Sequence, residues 1–272
     1  MTTTSITSEP PATTDTSAEP RRIGILLTSD DTSEFAARFP DDGEKFKTLL
    51  RPLAPADWHF EVLPAMAGVL PENCRDFDGY VITGSPASVR DRRKKWIAQL
   101  LDFIRVLDSE RVPTVGVCFG HQAIAMALGG HVERNPTGWQ LGVAFTEFST
   151  TTPWMVPPST ELALYAAHNE QVVELPGRAV RLGSAEGCEN ASFQVDQHFA
   201  TTEYHPEMPL EFMQALADHL EPHLGAHLCR RARQELKLAT AGATFGRWMI
   251  RFLGATHPIQ TPTPTPTLST TP

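Results

Sequence analysis

The stretch that most narrows the fold is PTVGVCFGHQAIAMALGG, residues 113–130, where an apolar β-rich run turns into a helical pattern across one cysteine. Strand followed at once by helix is the unit of a parallel sheet, because a parallel neighbour needs a crossover and a helix supplies it. Gly116 and Gly120 stand two residues on either side of Cys118. A sharp strand-to-helix turn crowds those offsets and lifts the central side chain above the sheet, so the spacing predicts a nucleophile elbow built with sulfur.

The same alternation runs through the first half of the chain. IGILL (23–27), HFEVL (59–63), GYVIT (79–83) and PTVGV (113–117) read as strands, and Trp96, Ile97, Leu100, Leu101, Ile104 and Leu107 recur at helical spacing over 94–109. The basic run RDRRKK at 90–95 reads as the solvated first turn of that helix. After Gly130 come shorter strand candidates, VAFTEF (143–148), AVRLG (179–183) and HFATTEY (198–204), some of which should pair antiparallel at one edge. Beyond Pro209 the pattern is helical through Leu253, and Trp248 and Phe252 at i and i+4 predict an extension packed on the domain. The expected fold is α/β, a mostly parallel central sheet with helices on both faces plus a C-terminal helical extension. The boundaries are a disordered Thr/Pro-rich N-terminus at 1–21, the catalytic-type domain at 22–209, the helical extension at 210–254 and a disordered Thr/Pro tail at 255–272.

Composition removes several function classes. With Lys+Arg 23 against Asp+Glu 32 the net charge is -9, so the basic footprint of a nucleic-acid binder is missing. Cys74, Cys118, Cys188 and Cys229 form no CxxC pair, which argues against a disulfide framework and a structural zinc site and favours a reducing, cytoplasmic setting. Residues 1–20 have no apolar core for a signal peptide, and the most apolar stretch is broken by His121, Gln122 and glycines, so no membrane span is expected. His205 and Glu207 lack a neighbouring HxxxE or HxH pair, so no metal or other cofactor is expected.

Cys118 alone could be a buried core thiol, since free cysteine is among the most buried residue types. Its surround favours a nucleophile: the N-terminus of a helix stabilises thiolate, and the Phe119 N–H directly after it can hold an oxyanion. A thiolate that cleaves an amide also needs a proton donor for the leaving nitrogen. His205, in TTEYHPEMP, follows a strand candidate, and Pro206 biases it toward extended backbone. There i and i+2 point the same way, which sets Glu207 beside the ring and completes a triad in the order Cys, His, Glu. In ITGSPAS, Gly84 and Ser85 end a strand where a turn can aim N–H groups into the crevice, although ordinary turn chemistry explains the same residues.

GVCFGHQ, HPE and ITGSP, in this order and at these separations, resemble the class I, or triad, glutamine amidotransferases, in the free-standing branch similar to the amidotransferase domain of GMP synthase. The resemblance spans about residues 22–209. It implies the flavodoxin-like fold of that family and a mechanism in which Cys118 attacks the carboxamide of glutamine, His205 protonates departing ammonia and then activates water against a γ-glutamyl thioester, and Glu207 orients His205. It places the oxyanion donors on Phe119 and the Gly84–Ser85 turn. It places substrate contacts on Gln122, on Trp139 of TGWQLG, and on His168 and Glu170 of AAHNEQV, with core roles open for Trp139 and His168.

The chain carries no nucleotide-binding loop, so ammonia released on it has no acceptor within this polypeptide and would pass to a separate synthase partner. Three readings stand: a glutamine amidotransferase-type hydrolase; a γ-glutamyl peptidase using the same triad on γ-glutamyl peptides or conjugates; and a non-catalytic regulatory subunit with the same fold.

Overall fold

The computed structural model describes residues 20–255; the disordered ends expected at 1–21 and 255–272 lie outside it except for residues 20, 21 and 255. The first half builds β1 (Arg22–Leu26), α1 (Asp42–Leu50), β2 (His59–Leu63), β3 (Gly79–Ile82), α2 (Lys95–Ser109), β4 (Thr114–Val117) and α3 (Phe119–Ala127). The second half adds β5 (His131–Arg134), β6 (Gln140–Phe148), β7 (Glu161–His168), β8 (Glu170–Glu174), β9 (Ala179–Ala185), β10 (Cys188–Val195) and β11 (Phe199–Thr202). It closes with α4 (Leu210–Leu224), α5 (Ala226–Glu235) and α6 (Gly242–Gly254).

Nine strands form one sheet in the order β2-β1-β3-β4-β11-β10-β9-β6-β7, and β5 pairs with β8 in a separate ribbon. The five strands from β2 to β11 run parallel; from β10 to β7 each pairs antiparallel with its neighbour. Every residue of β3, β4 and β11 is buried, as parallel strands covered on both faces must be. The antiparallel portion is thus four strands of a continuous sheet, broader than an edge.

Successive side chains of a strand separate to opposite faces, and each face has its own cover. Ile23, Ile25, Val81 and Val115 pack with Phe46 and Leu50 of α1 and with Phe245, Trp248, Met249 and Phe252 of α6. Leu26, Tyr80 and Ile82 point the other way, into α2 and α3. Over β6 and β7 a third cluster joins Leu141 and Tyr165 to Phe212, Met213 and Ala217 of α4 and to Cys229 and Ala232 of α5. The C-terminal helices are therefore part of the body of the molecule: α6 lies under the parallel strands, and Trp248 is fully buried with its Nε1–H donated to the Pro157 carbonyl at 2.9 Å.

One local expectation is corrected. The basic run at 90–95 precedes α2 instead of forming its first turn, since Lys94 is the N-cap and only Lys95 is helical. Asp91 pairs with Arg93, Lys94 with Asp30, and Arg90 with Glu170, so partner carboxylates hold the segment as a turn.

Candidate active site

The carboxyl ends of β1, β3, β4 and β11 meet where the strand order reverses between β1 and β3, the place where open α/β sheets present a crevice. Cys118 follows β4 there, with φ 49° and ψ -105°, a positive φ that an L residue adopts only under constraint. The constraint is visible. The Cys118 N–H is donated to Thr202 O at 2.9 Å and the Gly120 N–H to Thr83 O at 3.2 Å, which pins the turn to β11 on one side and to the end of β3 on the other. A Cβ on Gly116 would stand 2.6 Å from Gly120 O, and one on Gly120 would run into the Ile82 carbonyl. Both glycines expected from the sequence are sterically required.

The charge state of the thiol differs from the sequence expectation. Burial pushes Cys118 well above the ordinary thiol range, and the Glu203 and Glu207 carboxyls push the same way when ionised, while the Phe119 N–H at the sulfur pulls against them. Desolvation outweighs the helix terminus, so the free protein holds a thiol and thiolate must be generated by proton transfer.

His205 sits beyond β11, where its N–H is donated to Tyr165 O at 2.8 Å and ties the segment to β7. Its ring Nδ1 lies 2.7 Å from Glu207 Oε1, both side chains being buried. Gly84 brings histidine and cysteine together, because a Cβ there would lie 2.8 Å from His205 Cε1 and 3.7 Å from Cys118 Cβ. The Gly84 carbonyl accepts from Thr28 Oγ1 at 2.8 Å. In a trans peptide C=O and N–H point opposite ways, so the Ser85 N–H is turned away from Thr28, on a residue that lines the crevice.

Two unlike cavities meet at Cys118 and Ser85. The smaller, about 210 Å³, is polar and is lined by Gln122, Trp139, His168, Glu170 and Arg134. Gln122 donates to Glu170 O at 3.0 Å and to Glu203 Oε1 at 2.9 Å. His168 donates its Nδ1–H to Glu170 O at 2.8 Å, and burial pushes its pKa down to about 4, so the ring is neutral and Nε2, 3.2 Å from Gln140 Oε1, carries no proton to donate. The Glu170 carboxylate accepts from Ser88 Oγ and Arg90, each at 2.7 Å. The larger cavity, about 640 Å³, opens on the His205 side and is walled by Phe35, Phe39, Met208, Phe212, Leu216 and Leu220, with Lys45 and Asp42 at its base.

The residues singled out in the sequence thus fall around one crevice: Cys118 and His205 line it with Glu207 behind the histidine ring, Gly84 and Ser85 and the Phe119 N–H lie on the sulfur side, and Gln122, Trp139, His168 and Glu170 line the polar cavity. Sequence reasoning missed Glu203, Asp42, Lys45 and Arg134. Glu203 had a signal, since Glu203, His205 and Glu207 stand at alternate positions of the short bent segment just past β11. Asp42 reaches the site only through the placement of α1, where it pairs with the buried Lys45 at 2.8 Å. Among the described residues no group of three or more His, Cys, Asp or Glu could hold a metal ion, and no helix is long and apolar enough to cross a membrane.

Comparison with known proteins finds relatives of the chain in both sequence and fold. Gamma-glutamyl peptidase 3 of Arabidopsis thaliana is 28% identical over 74% of this chain and 82% of its own length. A glutamine-hydrolyzing GMP synthase subunit from Methanosarcina mazei is 27% identical over 58% of this chain and 79% of its own. The crystal structure of a glutamine amidotransferase from Thermotoga maritima shares the fold, with TM-score 0.67 at 20% identity over 86% of this chain and 96% of that one. The family model "Glutamine amidotransferase class-I" matches residues 42–216, a span that runs from the first residue of α1 through the elbow and the HPE segment into α4. With a hydrolytic enzyme's crevice at the centre of that span, the chain belongs to the class-I glutamine amidotransferase family.

Proposed function

We propose that the protein hydrolyses γ-glutamyl amides by thiol catalysis and that its preferred leaving group is an amine larger than ammonia. The observation that carries this reading is the pair of unlike cavities meeting at Cys118. The polar one suits a glutamyl group, with Arg134 toward an α-carboxylate and the Glu170 carboxylate toward an α-amino group. The apolar one lies on the side of His205, the proton donor to the departing nitrogen. Ammonia makes no use of a cavity of about 640 Å³ with an apolar wall; a peptide or conjugated amine does.

In this mechanism Glu207 accepts the Nδ1–H of His205, leaving Nε2 to take the Cys118 proton. The thiolate attacks the γ-carbonyl carbon, and the oxyanion is received by the N–H groups of Phe119 and Ser85. His205 returns its proton to the nitrogen as the C–N bond breaks, leaving a γ-glutamyl thioester on Cys118. Water, deprotonated by His205, then releases glutamate and the free thiol. Glutamine is the smallest substrate of the same chemistry, and the GMP synthase relative supports the version in which ammonia goes to a separate synthase.

The test is glutamate release by the purified chain from glutamine and from γ-glutamyl dipeptides with small and aromatic second residues. Dipeptides are expected to exceed glutamine in kcat/KM by about ten-fold, corresponding to ~1.4 kcal/mol of apolar contact with the leaving group. Cys118→Ser should abolish both activities with an unchanged circular dichroism spectrum. A preference for glutamine would return the search to a synthase partner, and activity retained in Cys118→Ser would remove the nucleophile assignment.

A further inference from the structure

Behind Cys118 lies a second carboxyl group that the mechanism does not use. Glu203, two residues before His205, is fully buried. Its Oε1 accepts from Gln122 Nε2 at 2.9 Å, whereas its Oε2 has no hydrogen-bond partner. Facing that bare oxygen at 3.5 Å is His121 Nε2, itself buried and without a partner. Two orphaned polar atoms in one closed chamber are costly unless a proton lies between them.

The direction of that proton follows from the other side of the histidine ring. His121 Nδ1 is 2.8 Å from Thr201 Oγ1, and the one hydroxyl proton of Thr201 is donated to the Phe193 carbonyl at 2.9 Å. Nδ1 must then be the donor to Thr201. Burial, followed by the neighbouring His168, pushes the His121 pKa down to about 3, with the Asn190 backbone acting the other way, so the ring is neutral and Nε2 is left as a lone pair. A lone pair facing a carboxyl oxygen at this distance calls for a protonated acid.

The surrounding groups agree. The chamber is faced by Cys118 and by His121 and Gln122 of α3, by His168 of β7 at 3.8 Å from Oε1, by Glu170 of β8 and Cys188 of β10, and along the chain by Tyr204, His205 and Glu207. Among the described residues no Lys or Arg pairs with Glu203, and both histidines are neutral. Burial, against weaker help from Gln122 and Cys118, accordingly holds its carboxyl well above the usual range.

We propose that Glu203 works as a neutral carboxylic acid whose Oε2–H is given to His121 Nε2, a positioning residue that keeps the chamber behind Cys118 uncharged so that the thiolate can form. An ionised Glu203 would place a full negative charge beside the sulfur and oppose the transfer of the thiol proton to His205. The inference rests on Cys118 being the nucleophile and is independent of which γ-glutamyl amide is cleaved.

Glu203→Gln is the neutral isostere: its oxygen keeps the bond from Gln122 and its amide donates to His121. The rate of Cys118 alkylation by iodoacetamide, located by peptide mass spectrometry, is measured against pH on the full wild-type chain and on this variant, with kcat/KM in parallel. Near neutral pH the two should agree within about three-fold, and in the alkaline range the variant should be alkylated about ten-fold faster, the effect of one unit of pKa at the sulfur. The wild type should show a carboxylic-acid stretch in the infrared spectrum near neutral pH that the variant lacks. In the wild type alone, histidine ¹⁵N resonances should identify His121 as the Nδ1–H tautomer, a readout that does not depend on the variant folding. Alkylation of the variant already faster by about ten-fold at neutral pH, identical profiles throughout, or an Nε2–H tautomer would each overturn the proposal. Because alkylation and spectroscopy need no substrate, inactivity toward every γ-glutamyl amide would refute the functional reading and leave this one standing or falling on its own data.

Discussion

At the residue scale the site depends on atoms that are missing as much as on those present. Gly120→Ala would drive a methyl group into the Ile82 carbonyl, so the strand-to-helix turn must shift and carry the sulfur with it. A loss of about 10²-fold in kcat/KM is expected for a displacement near 1 Å, with the protein still folded, and steady-state kinetics beside circular dichroism checks it. Glu207→Gln removes the negative charge behind the His205 Nδ1 proton without changing shape, and should lower kcat by about 10²–10⁴-fold with little change in KM. Equal kcat values would make Glu207 a packing residue. The Cys, His and glycine positions were legible because the elbow spacing and the two-residue separation of His205 and Glu207 fix local geometry. The protonation of the thiol was not: it is set first by enclosure, and enclosure is a property of the whole fold.

At the scale of elements, strands with β-rich composition and the helix with a strong apolar stripe were readable, while α1, β7, β8 and β10 were not. DGEKFKTLL of α1 is mostly polar and owes its start to Asp41, whose side chain accepts the Glu44 N–H at 2.9 Å. ELALYAAH and CENASFQV are strands because neighbours pair with them: β6 matches β7 over eight residue pairs, from Gln140 opposite His168 to Glu147 opposite Glu161. The run at 90–95 was misplaced by a few residues because charge alone does not separate a turn from a first helical turn. The last helix, by contrast, announced its packing through Trp248 and Phe252. Trp248→Ala empties a fully buried site beside Phe148 and Trp154 and orphans the Pro157 carbonyl, and should cost ~3–5 kcal/mol in chemical denaturation. A cost below ~1 kcal/mol would mean that α6 is an appendage.

The whole molecule carries its buried titratable groups in opposing sets. His121 and His168, pushed down to about 3 and about 4, bind no proton when folded, whereas the unfolded chain protonates them near 6.5. Their contribution to stability therefore falls as pH drops below that value, by up to ~1.4 kcal/mol per pH unit for each histidine. Glu203 and Asp42 are raised by burial, so each contributes stability that is lost as pH rises through its folded pKa and fully present below the unfolded values of 4.5 and 3.8. Below neutrality the two sets offset each other until the unfolded carboxyls are protonated as well. Thermal unfolding followed against pH should then show a midpoint that falls less steeply just above 4.5 than just below it. An equal slope on both sides of 4.5 would mean that the raised carboxyls are absent.

β4 and β11 lie side by side in the sheet, yet everything from α3 to β10 comes between them in the chain. The cysteine end of the crevice is thus synthesised long before the histidine end, and on the proposed mechanism a ribosome-bound chain that has finished the first lacks its base. The same arrangement makes the protein divisible: if the chain is cut in the intervening excursion, one fragment bears the sulfur and the other the imidazole. On the proposed mechanism neither should turn over alone, so recovered activity would report that the two pieces had met.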